Sequence, residues 1–110
     1  MKILVLGDVM GASGRKALSR KLPNLINNNK IDFVIVNGEN SADDGRGITQ
    51  EIAEEFFKIG VDVITSGNHI WDKQETANYI NKETRLLRPS NLVEGSPGKG
   101  YEKYLTKNKK

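Results

Sequence analysis

The sequence predicts an α/β fold in which a parallel sheet is flanked by helices. Three observations carry that expectation. First, the runs KILVLG (2–7), FVIVNG (33–38) and VDVIT (61–65) are dense in Val, Ile and Leu, as strands buried in a parallel sheet require. Second, the segments between them place apolar residues three and four positions apart, the period of a helix. Third, strand and helix alternate, so right-handed crossovers are expected to lay helices over both sides of the sheet.

The elements follow in order. The first run ends in GDVMG, and the helix after it is expected over 14–28, where Ala17, Leu18, Leu22, Leu25 and Ile26 share a face. Pro23 falls inside this pattern and should kink or divide the helix. After the second run comes SADDGRG (41–47), read as a solvated loop whose acidic pair lacks the spacing of a calcium loop. Ile52, Ala53, Phe56 and Phe57 then form the stripe of a helix over 49–59, with Thr49 as its N-cap. The third run is shorter and less uniform. Beyond it, Asp72 and Glu75 have the spacing of a capping box for a helix over about 72–81, and Trp71 and Tyr79 read as packing residues. SPGKG is loop chemistry. YEKYLT followed by KNKK suggests a strand entering a turn with no partner strand after it, so the sequence reads as one truncated domain over 1–110.

Bulk properties narrow the class. At 110 residues, 36% hydrophobic and 28% charged, the chain is one small globular domain. It has no cysteine, which excludes disulfides and thiolate metal sites. The six-residue apolar run at the N-terminus is too short for a signal core or a membrane span, so a cytoplasmic protein is expected. The net charge of +3 is carried by the last nine residues, with Lys103, Lys107, Lys109 and Lys110 set against Glu102. It reads as a solvated terminus rather than a nucleic-acid surface.

The chemistry-bearing residues collect at one place in the expected fold. Ligands of open parallel sheets bind beyond the carboxyl ends of the strands. The first strand delivers Asp8 there, the second Glu39 and Asn40, the third Asn68 and His69, each group following a glycine (Gly7, Gly38, Gly67). Each residue alone is weak: Asp8 could be a helix cap, NGEN an ordinary turn, and His69 an incidental loop imidazole. Their coincidence at three strand ends is what points to function. Carboxylates, amide oxygens and an imidazole suit divalent ions such as manganese or iron. A carboxylate such as Glu39 can bridge two ions about 3.5–4 Å apart, as in two-metal phosphoesterases, with an imidazole protonating the leaving oxygen. A phosphate-cradling reading of GDVMGASG fares worse. Gly7, Gly11 and Gly14 do not have dinucleotide-loop spacing, and no strand-borne G-K-[ST] is present.

GDVMG, NGEN, GNHIWDK, RPSN and PGKGY, in this order and spacing, resemble the YmdB-like metallophosphoesterases, a variant branch of the calcineurin-like superfamily. Asp8-Val9-Met10 stands where the wider superfamily has D-x-H, and Gly38-Glu39 where it has G-D; both departures are the branch's own pattern. The resemblance covers nearly the whole chain. It implies the N-terminal portion of a metallophosphoesterase α/β sandwich, and a phosphodiesterase with two iron or manganese ions that opens 2′,3′-cyclic nucleotides at the 2′ oxygen. It further implies that Asp8 and Asn40 ligate one metal, Asn68 the other, that Glu39 bridges them, and that His69 is the proton donor. Family members supply further histidines from a C-terminal half with no counterpart here. Weak or single metal binding, little turnover and self-association through uncovered sheet surface are therefore expected. The alternative is a non-catalytic nucleotide- or metal-binding module.

Overall fold

The computed structural model describes residues 1–106. The elements run β1 (Ile3–Asp8), α1 (Gly11–Asn29), β2 (Phe33–Asn37), α2 (Gln50–Lys58), β3 (Val63–Thr65) and α3 (Glu75–Lys82). The three strands form one parallel sheet in the order β1-β2-β3. Beyond β3, Leu86 makes a parallel bridge to Ile64. Ile64 N–H donates to the Arg85 carbonyl at 2.8 Å and Leu87 N–H to the Ile64 carbonyl at 2.9 Å.

Register divides the strands into two faces of different character. Leu4 pairs with Val34, Leu6 with Val36, and Val36 with Ile64. These residues pack with Leu18 and Leu22 of α1, Ala53 and Phe56 of α2, and Tyr79 and Ile80 of α3 in a single cluster. Full burial of side chains such as Leu22 and Phe56 stabilises by about 1.5–3 kcal/mol each. The opposite face carries Ile3, Val5, Phe33, Ile35 and Val63, none of which joins that cluster. Ile3 is 50% exposed and Val5 67%. Among the described residues the helices therefore cover one face, not the two expected. Stepping β1→β2→β3 in one direction with right-handed crossovers puts α1 and α2 on the same side. The bare face is partly roofed by the C-terminal segment, where the Tyr104 ring sits 6.0 Å from that of Phe33 and its hydroxyl donates to the Thr84 carbonyl.

Several local expectations are corrected. α1 begins at Gly11 and runs unbroken through Pro23. Pro23 faces solvent and removes one ladder hydrogen bond, which burial of Leu18 and Leu22 beside it offsets. The helix ends on Lys30, a non-glycine residue in the left-handed region at φ 52°, whose N–H donates to Ile26. Thr49 does cap α2, accepting from Ile52 N–H at 3.2 Å. The Asp72–Glu75 capping box does not form. α3 starts after Gln74 with no side-chain cap, Asp72 is held by His69, and Glu75 accepts from Gln50 N–H at 3.2 Å. The loop 41–47 is braced rather than free: Ser41 and Ala42 are buried, Arg15 bonds the Ser41 carbonyl and Asp43, and Lys73 bonds Asp44. Residues 101–106 form no strand, and the KNKK end of the expected strand lies outside the described residues.

Candidate metal centre

The parallel sheet sends all three strand ends to one edge, and local irregularities there aim the side chains. β1 and β2 pair regularly up to Leu6 and Val36; the register then slips, so that Asp8 stands opposite Asn37 and Gly7 is left unpaired. Such a bulge turns the following side chain relative to the regular alternation. Val9 N–H donates to the Asn37 carbonyl at 3.1 Å and Gly11 N–H to the Asn40 carbonyl at 2.9 Å. The loop carrying Asn40 is thereby tied to the start of α1. Across this clamp the Asn40 Nδ2 donates to both oxygens of Asp8, at 3.2 and 3.1 Å.

Glu39 and the third strand end meet in the same way. The Glu39 carboxylate lies so close over Gly67 that a Cβ there would overlap it, and His69 N–H points to Glu39 Oε2 at 3.5 Å. Asn68 is exposed at the same strand end. His69 Nδ1 is 2.9 Å from Asp72 Oδ2. The expected groups thus assemble as two touching pairs, Asp8 with Asn40 and Glu39 with the Gly67–His69 turn, and Asn68 stands beside the second. Around them the loop 41–47 is held by ion pairs to α1 and to Lys73; the Lys73 ammonium bonded to Asp44 holds its carboxyl below the usual range. The sequence reads Asp72 as a helix cap rather than as the partner of His69, and it gives no sign of these braces.

A sequence model described as "YmdB-like protein" matches residues 4–110. The chain belongs to the YmdB-like family. It is similar to the 2′,3′-cyclic-nucleotide 2′-phosphodiesterase of Bacillus subtilis, with 45% identity over 100 residues, which are 91% of this chain and 38% of that protein. Among solved structures it resembles a novel phosphatase from Mycoplasma pneumoniae (TM-score 0.83, 35% identity, covering 94% of this chain and 39% of that one). A hypothetical protein from Thermus thermophilus matches comparably (TM-score 0.82, 37% identity, 91% and 38%). The chain spans between 32% and 38% of the length of the curated relatives it matches. The relatives' names place the family among phosphodiesterases and phosphatases. Among the described residues no helix is long and apolar enough to cross a membrane.

The residues present fit a divalent cation on chemical grounds. The Asn40 Oδ1 is buried and accepts no hydrogen bond, a state that normally costs about 1–3 kcal/mol and that a cation would relieve. It lies in the same side chain that bonds Asp8, and oxygen donors of this kind suit hard to intermediate ions. The set is sparse in strong ligands: no three His, Cys, Asp or Glu side chains converge among the described residues.

Proposed function

We propose that the Asp8–Glu39–Asn40–Asn68 rim is the part of a two-metal phosphodiesterase site that this chain carries, acting on 2′,3′-cyclic nucleotides in the cytoplasm. The buried, unpartnered Asn40 Oδ1 beside Asp8 is the observation that carries the reading. Asp8 and Asn40 would hold one manganese or iron ion and Asn68 the other, with Glu39 as the carboxylate shared by both. The ions, when bound, neutralise phosphoryl charge and activate water. The protein's own share is positioning and proton supply. Water adds to phosphorus, the bond from phosphorus to the ribose 2′ oxygen breaks, and His69 passes a proton to that oxygen, leaving a 3′-phosphomonoester. With so few strong ligands the chain alone binds metal weakly and turns over slowly.

The test is thermal unfolding and 2′,3′-cyclic-AMP hydrolysis with and without Mn²⁺. Mn²⁺ should raise the melting temperature in the parent and not in Asn40→Ala or Asp8→Ala, and residual hydrolysis should vanish in His69→Ala. A melting temperature indifferent to Mn²⁺, or hydrolysis that survives His69→Ala, would overturn the reading. The scarcity of carboxylate and imidazole ligands favours a second reading, a non-catalytic metal- or nucleotide-binding module. It predicts ligand-dependent stabilisation with no turnover at all.

A further inference from the structure

Asp72 is unexplained by the fold, since it caps no helix, and it is absent from the metal-ligand set above. Its carboxylate oxygen lies 2.9 Å from Nδ1 of His69. The two residues are also joined through the backbone, Asp72 N–H donating to the His69 carbonyl at 3.0 Å. This turn is anchored below by Ile70, which is fully buried and whose N–H donates to the Gly67 carbonyl at 3.1 Å. It is pressed from outside by Gly47, at φ +77°, where a Cβ would come within 3.3 Å of the His69 carbonyl and 3.4 Å of Asp72 Cβ. The imidazole therefore sits in a turn held on two sides, with Nδ1 committed and Nε2 bound to no protein group among the described residues.

We propose that Asp72 is a positioning residue for His69: it keeps the proton of the neutral imidazole on Nδ1 and turns the bare Nε2 toward the rim. An ionised carboxylate only accepts hydrogen bonds, so a neutral imidazole facing it must carry its proton on the nitrogen that faces it. Nε2 is then the ring nitrogen left to face a reacting group. This inference rests on the reading of His69 as the proton donor, and it adds which nitrogen donates and what fixes that choice. An amide in place of the carboxylate keeps the shape but can donate to Nδ1, which moves the proton to Nε2, the effect known for the carboxylate of serine-protease triads.

His69 is the only histidine in the chain, so its ring nitrogens are the only imidazole signals in a ¹⁵N-histidine-labelled sample. Long-range ¹⁵N–¹H spectra of the metal-free chain, recorded where the imidazole is neutral, should show a protonated Nδ1 and a bare Nε2. Asp72→Asn should invert the assignment, and Asp72→Ala should abolish the preference, with the backbone amide pattern of the fold retained. A parent chain with its proton on Nε2, or a tautomer ratio that neither substitution moves, would overturn the proposal. A merely structural contact would lower the melting temperature and leave the tautomer where it was. If the Nδ1–H signature is present and Mn²⁺ neither binds nor supports hydrolysis, the proposed function fails while the tautomer assignment stands.

Discussion

Replacing Gly67 with Ala tests the metal reading without removing a single ligand. Gly67 does not adopt a positive φ, so alanine is compatible with its backbone, and the metal-free chain should change in stability by less than about 1 kcal/mol. The added Cβ would overlap the Glu39 carboxylate, which must swing aside. Displacing a group that only orients a ligand typically weakens metal affinity by about 10–100-fold, so moving a ligand itself should cost at least about tenfold. With Mn²⁺ at about one hundred times the parent's dissociation constant, binding stabilises the parent by about 2.7 kcal/mol, and a tenfold weaker variant by about 1.4 kcal/mol. At about 4–8 °C per kcal/mol for a small domain, the parent's melting temperature should rise by roughly 11–22 °C and the variant's by roughly 6–11 °C. Paired calorimetric scans with and without Mn²⁺ measure both quantities. An undiminished Mn²⁺ shift in Gly67→Ala would remove Glu39 from the ligand set. A collapse of the metal-free transition would make Gly67 a structural glycine instead.

Three further outcomes are expected. The Tyr79 hydroxyl is buried without a partner, and burial pushes its pKa up to about 12. The folded state thus favours the neutral phenol, and stability should fall as pH rises from the ordinary tyrosine value of 10 towards 12; Tyr79→Phe should abolish that alkaline loss and raise stability by about 1 kcal/mol in urea titrations. Glu83 is bonded by Arg85, which stacks 3.9 Å over Phe57, and this bond holds the Glu83 carboxyl below its usual range. Its stabilisation is complete above the ordinary glutamate pKa and is lost as pH falls through the depressed value, so acid unfolding of Glu83→Gln should be less steep there. Val5→Lys on the bare sheet face should leave the stability within about 0.5 kcal/mol of the parent and reduce self-association in sedimentation velocity; an unchanged oligomer distribution would show that this face is not the contact.

Much of this architecture was legible because it depends on local pattern. The β-branched runs located all three strands, and the parallel-sheet rule brought Asp8, Glu39, Asn40, Asn68 and His69 to one edge on sequence alone. What stayed hidden depends on register or on distant partners. Asp72 and Glu75 have the spacing of a capping box, yet His69 and Gln50 compete for the two carboxylates and win. The braces Arg15–Asp43 and Lys73–Asp44 join residues 28 and 29 positions apart, which no window of sequence reveals. Pro23 reads as a break because the cost of a proline is visible locally, whereas the burial of Leu18 and Leu22 that offsets it depends on tertiary packing. The bare sheet face was unreadable from composition, since a strand covered on one side and a strand covered on both can share the letters of ILVLG.

The slip in pairing at Gly7 has a consequence for how such chains tolerate insertion and deletion. Losing that one residue would let β1 pair evenly with β2 along its whole length. Asp8 would then follow the regular two-residue alternation and point to the opposite side of the strand. The extra residue in β1 is thus a spacer that sets the side of the strand on which Asp8 emerges. A deletion at this one position should therefore erase the aim of the first carboxylate while leaving the remaining motif letters in place.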